Sequence, residues 1–185
     1  MTPTVLHSVG LYPARAPALP SRMETLTFEI EIAAPSHIVW ATMLEPDSYR
    51  QWTEDFNPGS YYTGDWELGS TIRFLGPNPH DGGAEGGMLG TIVAHRPQEF
   101  VSVEYRGMVA DGEDDTTSDA AKLIAGTHES YSFSEAGGVT TLAVEIEVPD
   151  EWAEMFREEW PVALDRLRSL AEQADAASRE RLGSE

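Results

Sequence analysis

The 185-residue chain contains no cysteine, which excludes a disulfide scaffold, a thiolate nucleophile and every zinc site built on sulfur. Lysine is almost missing too: Lys122 stands alone beside eleven arginines, against 32 acids, and the formal net charge is −20. Such a surface repels phosphate, which disfavours DNA, RNA and anionic membrane surfaces as partners, and no nucleic acid is expected. There is no run of ~18 apolar residues of the kind a membrane-spanning helix needs, so no membrane insertion is expected. The phosphate loop GxxxxGK[ST] is absent, and Gly82, Gly83, Gly86 and Gly87 do not form GxGxxG behind a strand. Nor is there a GxSxG elbow for a nucleophilic serine. Five histidines (His7, His37, His80, His95, His128) are scattered without HExxH spacing, and His80–Asp81 is the nearest approach to a ligand pair. No cofactor and no metal are expected.

What the chain does have is 41% apolar residues, with five Trp, six Tyr and six Phe. That supplies one core, and the length fits one domain. Residues 1–22 hold four prolines and no strand or helix period, so they read as a disordered tail; Thr, His, Ser and Pro interrupt every apolar stretch where a secretory signal would be continuous. A cytoplasmic location follows, and Met23 is an alternative natural start.

From Thr25 the segment TLTFEIEI alternates strictly, placing Leu26, Phe28, Ile30 and Ile32 on one face of a strand. Ser36 is placed to cap a short helix through Met43, and Pro46–Asp47 opens a second through Tyr49 and Trp52. Six more strands are expected: 60–64, 70–75, 87–95, 100–106, 127–134 and 140–148. Short joins at His95–Gln98 and Glu135–Gly138 make the sheet antiparallel. Two longer joins, 76–87 and 109–122, read as mobile, either rim loops of a ligand site or solvated surface loops, the second holding five acids between Asp111 and Asp119. Beyond Asp150, Trp152, Phe156, Trp160, Leu164, Leu167 and Leu170 recur every three or four residues, the mark of an amphipathic helix. Because proline lacks an N–H and clashes inside a helix, Pro161 predicts a break, with a short helix over 150–158 and a main one over 161–177. Residues 178–185 are expected to fray, leaving 23–177 as the domain.

This is an α+β order: strand, two short helices, six strands, one long helix. The segments APSHIVWATM, YRQW, GDWELGSTIRF, HRPQEF and EEWPVALDRL, in that order over roughly 24–173, resemble the helix-grip superfamily of START domains, polyketide cyclases and Bet v allergens. Within it they resemble the family related to the activator of heat shock protein 90 ATPase. The resemblance implies a helix-grip fold: a curved antiparallel sheet of about seven strands wrapped around the C-terminal helix, with a cavity between. It also implies three possible roles: binding a small hydrophobic or aromatic ligand, cyclising or aromatising a polyketide, or assisting a chaperone partner. Ligand binding is the leading reading. The single domain lacks the extra N-terminal domain of the eukaryotic co-chaperones, and exposed edge strands allow a monomer or a homodimer.

Within THESYSF, alternation puts Thr127, Glu129, Tyr131 and Phe133 on one face and His128 on the other. The two aromatics mark the cavity side. Glu129 walled by aromatics would be desolvated, the condition for a general acid or base or for a polar anchor; paired with a cation such as Arg73 it would serve packing alone. The candidate ligand-binding residues are Trp66, Phe74, Glu129, Tyr131 and Phe156, and Glu129 is the one catalytic candidate.

Overall fold

The computed structural model describes residues 22–77 and 85–183; the tail before Arg22, the centre of the first glycine-rich join with His80 and Asp81, and the last two residues lie outside them. Strand β1 (Met23–Ile32) leads into helices α1 (Ser36–Leu44) and α2 (Pro46–Trp52), the latter continued by a 3-10 turn at Thr53–Asp55. Strands β2 (Tyr61–Gly64), β3 (Thr71–Pro77), β4 (Glu85–Arg96) and β5 (Phe100–Ala110) follow, then a short β6 (Glu113–Asp115) and helix α3 (Asp119–Ile124). Strands β7 (His128–Ala136) and β8 (Val139–Pro149) end at helix α4 (Asp150–Leu182).

The sheet runs β1-β8-β7-β5-β4-β3-β2 and every pairing is antiparallel, with β6 added beside β5. Alternation decides its inner face. On β8, Thr140, Leu142, Val144, Ile146 and Val148 are buried, and on β7 Glu129, Tyr131 and Phe133 are. The β7–β8 join is a two-residue turn at Gly137 and Gly138, both at positive φ, which matches the twist of the flanking strands. Register shifts at Leu89/Gly90 and Ile92/Ala94 bend the β4–β5 pair. Glycine is needed at the first of these, since a Cβ on Gly90 would lie 2.5 Å from a Val103 methyl. The bent sheet packs its inner face on α4, with Trp160 stacking on Phe28 of β1 at 5.8 Å between ring centroids.

Three expectations need correction. Helix α4 does not break at Pro161 but runs unbroken for 33 residues. Trp152, Phe156, Trp160, Leu164, Leu167 and Ala171 form one buried stripe across the proline. Burial at roughly 1.5–3 kcal/mol per large side chain outweighs the ~3 kcal/mol that an internal proline costs. Pro161 itself is exposed, so Pro161→Ala loses no packing. That variant is expected to gain about 1–2 kcal/mol in urea unfolding; an unchanged or lower midpoint would show that the helix is shaped around the proline.

Ser36 is the second. It is the first residue of α1 rather than its cap, and its N–H is taken by the Glu135 carboxylate 2.8 Å away, at the far end of β7. An anion there suits the positive end of the helix, and the hydrogen bond holds the Glu135 carboxyl below its ordinary range.

The third is the acidic stretch 109–122, which is built rather than loose. The Asp115 carboxylate accepts the N–H groups of Thr117 and Ser118 at 2.9 and 3.0 Å, and hydrogen bonds from this Ser118–Thr117 turn lower its pKa to about 2. Ser118 caps α3 through the Ala121 N–H at 3.1 Å, while Arg73 grips Asp114 through two nitrogens at 2.7 and 2.6 Å. Local side-chain-to-backbone bonds of this kind compete with solvation and fix a turn.

Candidate functional site

A cavity of ≈ 30 Å³ lies between the sheet and α4. Phe74 on β3, Met88 on β4, Tyr105 on β5 and Glu129 with Tyr131 on β7 form its sheet side. Phe156 and Trp160 close it from α4, four residues apart and therefore on one helical face. The remaining wall is one segment, α2 and its 3-10 turn, contributing Tyr49, Trp52 and Thr53, with Phe56 just beyond.

That segment is secured from both sides. On the α1 side, the Trp52 indole donates to the Met43 carbonyl at 3.0 Å. From α4, Arg166 reaches the Gln51 carbonyl at 3.1 Å, Glu54 at 2.8 Å and Asp55 at 3.2 Å. Rings meet edge to face across the cavity wall, with Phe56 5.1 Å from Trp160 and Phe74 6.2 Å from Tyr105.

Glu129 is the only carboxylate of this wall and is 7% exposed. The Tyr105 hydroxyl donates to its Oε2 at 2.7 Å and the Tyr131 hydroxyl donates to its Oε1. Burial pushes its carboxyl up to about 7, and the Tyr105 hydrogen bond pulls back against that rise. Arg73, the cation that could have neutralised it, is occupied by Asp114. The packing-pair alternative for Glu129 therefore does not hold. Near neutral pH the side chain can exchange a proton, or hold one and act as a neutral donor.

The Trp160 ring belongs to the same wall. Trp160 is 3% exposed, and its buried indole N–H has no hydrogen-bond partner among the described residues. An unmet buried donor costs roughly 1–3 kcal/mol.

Of the five residues proposed from sequence, Phe74, Glu129, Tyr131 and Phe156 meet around this cavity. Trp66 does not line it: it packs behind Phe74 with ring centroids 5.7 Å apart. His128 points to the opposite face of β7, near Glu104 and Glu147. Tyr49, Trp52, Thr53, Phe56, Met88, Tyr105 and Trp160 were missing from the five. Tyr105 has a signal, lying two residues beyond Val103, which pairs with Glu129, but only the β5–β7 register reveals it.

A second depression, of ≈ 330 Å³, lies over β1, β7, β8 and the start of β5, lined by Thr27, Glu29, Ser130, Ser132, Ala143 and Glu145 among others. It is wider, mixing short hydroxyls and acids with Phe28 and Phe100, and it has no buried carboxyl at its centre. Among the described residues no three His, Asp or Glu side chains converge as metal ligands, and no helix is long and apolar enough to cross a membrane.

The profile of the family described as "Activator of Hsp90 ATPase homolog 1-like protein" matches residues 33–172. Comparison with the curated proteins finds no match. Among solved structures, a protein from Nitrosomonas europaea is similar with a TM-score of 0.62 and 14% identity, over 82% of this chain and 96% of that one. The Aha1 dimer from Colwellia psychrerythraea is similar at 0.57 and 18% identity, over 80% and 96%. A protein in the dynemicin biosynthetic locus is similar at 0.57 and 13% identity, over 82% of this chain and 48% of that one. At these identities the likeness shows a shared fold.

Proposed function

Because the chain belongs to the Activator of Hsp90 ATPase homolog 1-like family, we propose that it binds a small hydrophobic or aromatic molecule between its sheet and α4. The observation that carries this reading is the aromatic wall around a single buried carboxyl held by two tyrosine hydroxyls. Apolar walls with a few fixed polar groups are what small-molecule sites are made of.

At ≈ 30 Å³ the cavity has space for about one water, whereas drug-sized ligands occupy ~300–1,000 Å³. Binding therefore requires the wall to open. The segment best suited is α2 with its 3-10 turn, a short piece of wall whose polar ties to α4 are the exposed ion pairs of Arg166, worth little each, and whose other hold on α4 is the packing of Trp52 and Phe56 on Trp160. The net charge of −20 favours neutral or cationic ligands over anions.

NMR shift mapping with a panel of lipids, flavonoids and polyketides tests the reading. At least one panel member is expected to shift Tyr105, Glu129, Phe156 and Trp160 together. If none does, the cavity is simply core.

A second reading, a cyclase- or aromatase-type enzyme, is favoured by the Glu129 carboxyl near 7, a value suited to general acid or base work at neutral pH. Any turnover of a bound polyketide should then disappear in Glu129→Gln while binding persists. Turnover that survives that substitution would assign Glu129 to binding alone.

A further inference from the structure

We infer that the cavity takes an organic ammonium ion, a protonated amine whose nitrogen donates to the Glu129 carboxylate and supplies its missing counter-charge. This rests on the small-molecule reading of the cavity and fixes the charge of its ligand.

Six rings of the wall form a closed belt. From Tyr105 the neighbouring centroids run to Phe74 at 6.2 Å, to Tyr49 at 6.1 Å, to Trp52 at 5.4 Å, to Trp160 at 6.3 Å and to Tyr131 at 6.2 Å. The Glu129 carboxylate joins the two ends, accepting from the Tyr105 hydroxyl on one oxygen and from that of Tyr131 on the other. Aromatic rings attract cations, and a cage of them is how proteins hold alkylated ammonium groups.

The polar groups give the sign of the ligand's charge. Two hydroxyl donors, one on each oxygen, satisfy an ionised carboxyl; a neutral acid would need one of them turned round to accept its proton. A buried carboxylate also needs a cation, and among the described residues no Arg, Lys or His lines the cavity, while Arg73 is paired with Asp114. Burial without a counter-charge raises the Glu129 carboxyl to about 7. An ammonium nitrogen brings charge and donor together, using lone pairs that the tyrosines leave open. The other ionisable groups of the wall are the tyrosines Tyr49, Tyr105 and Tyr131; β8 sets Ile146 beside Glu129, and α4 offers Phe156 and Trp160. Glu159 of α4, also raised to about 7, does not line the cavity.

Two probes that differ in charge test this: cyclohexylammonium, and cyclohexanol, which has the same shape and is neutral. Each is titrated into the full-length protein at about 0.15 M salt, which screens the acidic surface, and is followed by NMR shift mapping. At pH 8 the ammonium is expected to bind about tenfold tighter than the alcohol, the worth of a charged hydrogen bond, and to shift Tyr105, Glu129, Phe156 and Trp160 together. By pH 5.5 its affinity should fall about tenfold, because a proton then occupies Glu129, whereas the alcohol's should stay within about twofold. In Glu129→Gln the preference for the ammonium should shrink to within about twofold while cyclohexanol still binds. If that variant does not fold, the pH profiles of the two probes on the unmodified protein decide the matter by themselves.

Equal affinities at pH 8, a preference that survives Glu129→Gln, or a cavity that answers to neutral compounds and not to the ammonium would overturn the inference and leave the binding reading standing. Silence of the cavity residues towards both probes and the whole lipid, flavonoid and polyketide panel would remove the inference together with the reading beneath it.

Discussion

Replacing Trp160 by alanine is expected to cost about 3–5 kcal/mol of folding stability, the range for truncating a buried large aromatic. Trp160 is 3% exposed and is the ring on α4 that touches the most separate parts of the fold. It packs on Phe28 of β1, on Tyr131 of β7, on Trp52 of α2 and on Phe56 beyond the 3-10 turn. Removing the indole therefore loosens sheet, long helix and cavity wall together, and it enlarges a cavity that is already there, so the surroundings have little scope to collapse inwards. Urea unfolding followed by circular dichroism measures the effect. A loss below about 1 kcal/mol would mean that α4 and α2 are held to the sheet by contacts other than this ring. Trp160→Phe keeps an aromatic ring in the same place and should lose far less.

The second large effect is a pH dependence that runs opposite to that of an ordinary surface carboxylate. Glu129 has its carboxyl raised from an ordinary value of 4.5 to about 7, so the folded protein binds its proton more tightly than the unfolded chain does. Between those values folding takes up a proton, and stability falls as pH rises. The contribution is fully present below about 4.5, declines through the folded value near 7, and is gone above it. At ~1.4 kcal/mol per pH step over that interval, the decline amounts to about 3 kcal/mol.

Glu159 titrates in the same window, because burial and the neighbouring Glu158 also push its carboxyl up to about 7. The comparison with Glu129→Gln isolates Glu129. Unfolding free energies of the two proteins at pH 5 and pH 8 should differ by an amount that changes by about 2–3 kcal/mol in favour of the variant at the higher pH. Parallel profiles would mean that the carboxyl stays ionised in the folded protein.

The secondary structure was largely legible from the chain because it rests on local rules. TLTFEIEI could only be a one-sided strand, and the two-glycine join before Val139 could only be a tight turn. The misreadings came where distant residues overruled local ones. Pro161 breaks an isolated helix, but the buried stripe from Trp152 to Ala171 carries α4 across it. Ser36 is a good cap, but a carboxylate 99 residues away takes the N–H at that end. The acidic stretch looked mobile because nothing in its composition discloses that Asp115 and Ser118 bond to the backbone beside them, or that Arg73 is close enough to grip Asp114.

The site divides in the same way. By itself the sequence determined that sulfur, phosphate-loop and serine-elbow chemistry are excluded, and that Glu129 and Tyr131 share a face, since parity along one strand is a local property. Only the tertiary structure decided which side chains surround Glu129. Tyr105 reaches it through strand pairing, Trp160 through the docking of α4, and Arg73 is taken away by β6. Strand register and helix docking follow from the burial of the whole core, which no stretch of a few residues encodes. The same burial raises the Glu129 carboxyl towards neutrality and leaves the Trp160 N–H without a partner among the described residues.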